Sequence, residues 1–245
     1  MCLPVNFNKT MLIFTIFLFL GLQKIIHGFF LKSKFGFDLI VVIHNLKPHN
    51  AHQVYQHLME LEICNYCTVS LRHDSAMESL KKLNELSNTI TTTTTTTNNN
   101  NICVGASTVV TIDQMLNCYD MGIKFMSSTH SDKELYMKAN ELSIPFLGGV
   151  KNENELQSIL NMNKKLIKLY PVQAPSEVKK WINQYKLNDN KDRTIIASGG
   201  LHPDIFQDYV DVGIDGFAIG LDANNIKIFL EKANEINKRM CEKFI

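Results

Sequence analysis

The stretch TIIASGGLHPDIFQDYVDVGIDGFAIG, from Thr194 to Gly220, carries the reading of the fold. It opens on an apolar run of strand length, TIIAS (Thr194 to Ser198), and closes on a second, GFAIG (Gly216 to Gly220). Between the two, Pro203 suits a first helical turn and Gly213 suits a helix C-terminus. Two apolar runs joined through a helix make a parallel strand pair with a crossover. Working back from this unit, the same alternation starts at DLIVVI (Asp38 to Ile43) and continues through CTVSL (Cys67 to Leu71), ICVG (Ile102 to Gly105) and KFMSS (Lys124 to Ser128). PFLGG (Pro145 to Gly149) and LIKLY (Leu166 to Tyr170) complete a set of eight strands. Helical stretches follow them, with capping boxes expected at Ser75/Glu78 and Ser131/Glu134 and an apolar stripe at Val178, Trp181, Ile182 and Tyr185. Gly122 suits another helix end, and Ile226, Phe229, Leu230, Ala233 and Ile236 form the closing stripe. Eight such units in roughly 200 residues predict a (β/α)8 TIM barrel. An open doubly wound sheet is the alternative, because pattern alone does not fix sheet closure.

At 245 residues the chain accommodates one large barrel, and 45% apolar with 20% charged residues gives it a sizeable core. The 25 Lys+Arg against 24 Asp+Glu leave a net charge of +1 and no basic stripe, which argues against nucleic acid as a partner. Six scattered cysteines fit a reducing compartment better than a disulfide scaffold. Residues 1–37 read as an apolar N-terminal extension ahead of a barrel over 38–245. Within the extension, MLIFTIFLFLGL (Met11 to Leu22) resembles the start of a secretory signal, but it is too short to span a bilayer and no small-x-small cleavage site follows. A targeting or membrane-associated segment and a helix packed on the domain both remain open, with a cytoplasmic location as the main expectation. Ser87 to Asn101 (SNTITTTTTTTNNNN) is low-complexity and uncharged, and reads as a loop insertion in one helix-to-strand connection.

In a barrel of this kind the chemistry sits at the carboxyl ends of the strands. Lys168 lies in the middle of the otherwise apolar LIKLYP and shares an inward face with Leu166 and Tyr170. Buried there, its pKa falls, and a neutral amine attacks a carbonyl to form a Schiff base. The alternative is a lysine on the solvent rim, as expected for Lys164 and Lys165. In TVSLR, Thr68, Ser70 and Arg72 share one face, and the guanidinium can hold a carboxylate through two hydrogen bonds or form an ordinary rim ion pair. VGAST (Val104 to Thr108), the glycines of SGGL (Ser198 to Leu201) and Gly220 fall where barrels bind anions through backbone N–H groups. CNYC (Cys64 to Cys67) lacks a second pair at zinc spacing and reads as buried cysteine at a helix–strand corner. His130 is a titrating group near the site or a solvated loop residue.

Taken in order, VGASTVVTIDQ, GIKFMSS, IPFLGGV, IKLYP, ASGGL and GFAIG resemble the KDPG/KHG aldolase family from roughly Asp38 to Met240. These are class I aldolases that release pyruvate from 2-keto-3-deoxy-6-phosphogluconate or 4-hydroxy-2-oxoglutarate. The resemblance implies a lyase of carbohydrate metabolism that acts on a small 2-oxo acid, needs no metal or cofactor, and assembles as a homotrimer. It makes Lys168 the Schiff-base lysine and Arg72 a substrate contact, places Thr108 near the pyruvyl carboxylate, and sets Gly199, Gly200 and Gly220 around the distal anion. The chain also departs from the family. Thr68 stands where the family has the glutamate of EVTLR, and a threonine hydroxyl is no general base near pH 7. His44 replaces an arginine of the first strand, Ser128 and Thr129 replace a Ser-Pro, and Leu221 replaces the serine of a phosphate-binding Gly-Ser. These departures imply decarboxylation favoured over aldol cleavage, or a non-catalytic barrel that binds a 2-oxo acid or a protein partner. A structural barrel whose lysine pairs with an acid is the third reading.

Overall fold

The computed structural model describes residues 38–61, 64, 66–93, 102–187 and 193–244, so the expectations for the N-terminal extension lie outside the described residues. Nine parallel strands make one sheet: β1 (Asp38–His44), β2 (Tyr66–Ser70), β3 (Cys103–Ser107), β4 (Met126–Ser127), β5 (Phe146–Leu147), β6 (Gly149–Val150), β7 (Leu166–Leu169), β8 (Thr194–Ser198) and β9 (Gly216–Asp222). The strand order is β5-β4-β3-β2-β1-β9-β8-β7-β6. Its two edges, β5 and β6, are separated in the chain by Gly148 alone, so the sheet curls round into a nearly closed barrel and the open doubly wound alternative is excluded.

Among the described residues eight α-helices follow the strands: α1 (Ala51–Glu60), α2 (Ala76–Thr93), α3 (Ile112–Asp120), α4 (Lys133–Glu141), α5 (Glu153–Asn161), α6 (Pro175–Gln184), α7 (Phe206–Val210) and α8 (Ile226–Phe244). Odd-numbered residues of β1, Leu39, Val41 and Ile43, join Val54 and Leu58 of α1 in the core between barrel and helices. Even-numbered Ile40, Val42 and His44 line the barrel interior instead. This two-residue period decides which side chains reach the site.

Several expectations need correction. PFLGG is not one ladder strand. Its first half pairs with β4 and its second with β7, broken at Gly148, whose N–H donates to the Tyr136 hydroxyl at 2.9 Å. A Cβ on Gly148 would lie 2.8 Å from the Tyr136 ring, so α4 presses directly on the break. Neither capping box forms. Asp132, not Ser131, caps α4 by accepting from the N–H groups of Glu134 and Leu135, and the Ser75 hydroxyl bonds the imidazole of His73 instead. The loop expected over 87–101 is helical as far as Thr93, and the Ser87 hydroxyl ties α2 to Ile102 at 2.8 Å. Gly122 and Gly213 do end helices with positive φ, and Pro203 does open a turn, a short 3-10 helix ahead of α7.

Candidate active site

The inward side chains enclose a cavity of about 290 Å3 at the carboxyl ends of the strands. Lys168 enters it from β7, while its neighbours Ile167 and Leu169 pack outward against the helices. Only 6% of Lys168 is exposed. It forms no hydrogen bond or ion pair among the described residues, and its Nζ lies over the Tyr170 ring, 5.6 Å from the centroid. Burial first, then the Arg72 guanidinium, pushes its amine from the usual 10.5 down to about 7. Loss of hydration disfavours the cation, and a second positive charge adds to that. Near neutral pH a large share of Lys168 is therefore the free amine. Lys164, by contrast, is half-buried, donating to Asn140 at 2.6 Å with Nζ 4.9 Å over the Tyr136 ring.

Of the residues singled out from the sequence, Lys168, Arg72, Thr68, Thr108, Gly199, Gly200 and Gly220 all line this one cavity. Arg72 stands exposed just past β2 and makes no ion pair among the described residues, so the rim-ion-pair alternative does not apply. Thr108 takes a left-handed backbone at φ 60, uncommon for a β-branched residue, and its hydroxyl meets that of Ser70 at 3.1 Å. Gly199 and Gly200 turn the chain with φ of 95 and 71, which favours residues without Cβ. At Gly220 the constraint is space: a Cβ there would sit 2.8 Å from His44 Nε2. Leu221 packs in the core outside the barrel, so the position of the expected phosphate-binding serine points away from the cavity.

The electrostatics are one-sided. Lys168, Arg72 and His44 line the cavity, and no Asp or Glu does among the described residues. An anion is the complement of such a wall. Burial, then Arg72, lowers the pKa of His44 below its usual 6.5, with Asp222 opposing them, so its imidazole is neutral at pH 7. The hydroxyls of Thr68 and Ser107 are buried at 1% and 4% exposure without a hydrogen-bond partner. Buried polar groups left dry cost about 1–3 kcal/mol each, so these two await a ligand or water. Ser107 was missed in the sequence, although the period that exposes Gly105 to the interior also puts Ser107 there.

Other candidates fall outside the site. His130 is exposed, with Nδ1 3.0 Å from the Thr129 hydroxyl, and does not line the cavity. Cys64 and Cys67 are buried, burial pushing the Cys64 thiol up to about 12 and Cys67 well up. Among the described residues no group of three or more His, Cys, Asp or Glu is placed to hold a metal.

Parallel strands closing round a cavity that a buried lysine enters define the general class, an α/β barrel with its candidate site at the carboxyl ends of the strands. The chain matches the sequence profile described as KDPG and KHG aldolase over residues 38–222 and belongs to that family. Solved structures share the fold. One described as native KDPGal is 17% identical with a TM-score of 0.70, the match covering 83% of this chain and 94% of that one. The 2-keto-3-deoxy-6-phospho-gluconate aldolase from Zymomonas mobilis is 17% identical with a TM-score of 0.65, covering 86% and 95%. The KDPG aldolase from Legionella pneumophila, described with pyruvate captured at low pH as a covalent carbinolamine intermediate, is 19% identical with a TM-score of 0.65, covering 86% and 96%. No curated protein sequence matches the chain.

Proposed function

We propose that the protein is a carbon–carbon lyase that binds a small 2-oxo acid as a Schiff base on Lys168 and releases pyruvate. The observation that carries this reading is the unpaired, buried amine with a pKa of about 7, facing a cavity that the Arg72 guanidinium and several hydroxyls line. The free amine adds to the keto carbon and water leaves, giving a protonated imine. That imine takes up the electron pair when the adjacent carbon–carbon bond breaks, forming an enamine. The enamine gains a proton at carbon, and hydrolysis returns pyruvate and the amine. In this reading Arg72 and Thr108, which line the same cavity, bind the carboxylate, and Gly199, Gly200 and Gly220 shape the distal end.

Aldol cleavage also requires the substrate hydroxyl to lose a proton. With Thr68 in place of a carboxylate, no acidic side chain among the described residues lines the cavity to take it. Loss of β-carboxylate as carbon dioxide uses the same electron sink and needs no such deprotonation. The reading therefore gives decarboxylation of an oxaloacetate-type acid precedence over cleavage of 4-hydroxy-2-oxoglutarate. Borohydride reduction in the presence of pyruvate tests it: a covalent adduct on Lys168 is expected, and no adduct at saturating pyruvate favours the non-catalytic binding barrel. That second reading draws its support from the same missing carboxylate.

A homotrimer is the proposed assembly, to be checked by light scattering on the purified chain. No helix among the described residues is long and apolar enough to cross a membrane. Cytoplasmic residence is proposed on the basis of the sequence, and microscopy of a tagged full-length chain beside one starting at Phe30 tests it.

A further inference from the structure

Once an imine stands on Lys168, the turnover needs a group that delivers a proton to the enamine carbon and, in reverse, removes one. The cavity wall supplies no carboxylate for this among the described residues. Lys168 is consumed in the imine, and guanidinium groups stay protonated. Phenols, with a reference pKa near 10, are poor proton acceptors at pH 7. The hydroxyls of Thr68, Ser107 and Thr108 relay protons but do not store them.

His44 remains. It ends β1 on the inward face, two residues beyond Val42, whose register partners are Thr68 on one side and Gly220 on the other. Its Nε2 is held beside Gly220, where the missing Cβ leaves it space. The imidazole makes no hydrogen bond among the described residues, so both lone pair and N–H are available. His44 and Lys168 line the same cavity, so a ligand held on the amine shares that space with the imidazole. Thr68 and Ser107 line it too, their buried hydroxyls without a hydrogen-bond partner among the described residues.

We propose that His44 is the group that exchanges protons with the enamine carbon in this site. The inference rests on the Schiff-base reading. With pyruvate as ligand, His44 Nε2 takes a proton from the methyl carbon of the imine. The C–H electron pair becomes the new carbon–carbon double bond, and the C=N pair moves onto nitrogen. Return of a proton from the imidazolium reverses each step, so no oxidant or further reactant is required. Three charged groups face His44: Arg72 beyond β2, Asp222 from β9 and Lys168 from β7, the last entering the imine. Burial first, then Arg72, holds the imidazole's pKa below its usual 6.5 and Asp222 opposes them, so the operating limb lies below pH 6.5.

The test follows deuterium exchange into the methyl group of pyruvate by proton NMR, using the full-length chain in deuterated buffer. In His44→Gln, exchange is expected to fall about 10²-fold or more. Borohydride is still expected to trap pyruvate on Lys168 of that variant, which a collapsed site would not allow. At saturating pyruvate the wild-type rate rises through a pKa below 6.5 and levels off, and this limb disappears in the variant. In His44→Ala, added imidazole restores exchange in proportion to its neutral form. Exchange at the wild-type rate in His44→Gln, or loss of exchange in His44→Ala that imidazole does not repair, overturns the proposal. Should the wild-type chain yield no adduct at all, the Schiff-base reading falls and this inference with it. An adduct with exchange insensitive to His44 removes only the inference.

Discussion

Replacing Lys168 by methionine offers a test of the site that needs no substrate. The two side chains have similar volume, so packing changes little. What changes is an ionisation. The folded-state pKa of about 7 lies below the usual 10.5, so folding is opposed by the work of stripping or neutralising the ammonium. At about 1.4 kcal/mol per pH unit this work is on the order of 5 kcal/mol when the pH is below 7, where both states carry the proton. Between about 7 and 10.5 the unfolded chain holds the proton and the folded chain does not, so wild-type stability rises with pH over that window. At pH 9 roughly 2 kcal/mol of the penalty is left. Lys168→Met lacks the group altogether. Its stability advantage over wild type should be larger at pH 6 than at pH 9 by about 2 to 3 kcal/mol, read from urea unfolding at both values. An advantage that does not change with pH would mean that the amine is solvated, and the reasoning behind the nucleophile would fail.

Thr68→Glu places a carboxylate in the cavity, and cleavage of 4-hydroxy-2-oxoglutarate should rise about tenfold or more relative to oxaloacetate decarboxylation; an unchanged ratio in coupled assays of pyruvate release argues against the missing-base account. Arg72→Gln should raise the KM for the 2-oxo acid about 10- to 100-fold, the value of its charged hydrogen bonds. Because Arg72 helps to depress the Lys168 pKa, the same variant should shift the rising limb of adduct formation above about 7. Gly220→Ala puts a methyl group 2.8 Å from His44 Nε2 and should slow methyl exchange while the borohydride adduct persists; equal losses in both measurements would mean that the whole cavity had shifted.

Much of this site was legible because a strand has a two-residue period and a parallel barrel exposes only one face of each strand. Lys168, Thr68 and Arg72 follow from that period in LIKLY and TVSLR, and the structure brings them to one cavity. The same period in CVGAS turns Ser107 inward beside its ladder partner Ser70. The split at Gly148 was illegible for a different reason. It depends on Tyr136 of α4 arriving from outside the strand, a contact that local sequence does not encode. Capping failed similarly: Ser131 and Asp132 are both good caps, and the carboxylate of the second engages the helix N–H groups. Leu221 stands where the family motif has a serine, but the strand period turns its side chain outward.

Parallel strands give the barrel two rims with unequal freedom. Reactive groups crowd the rim where strands finish, while helices hand the chain back at the rim where strands begin. The hydroxyl of Ser87 touching Ile102 ties α2 to the residue before β3 at that second rim. The threonine run lies in the chain between these two partners, so variants differing only in the number of those threonines should share one set of kinetic constants.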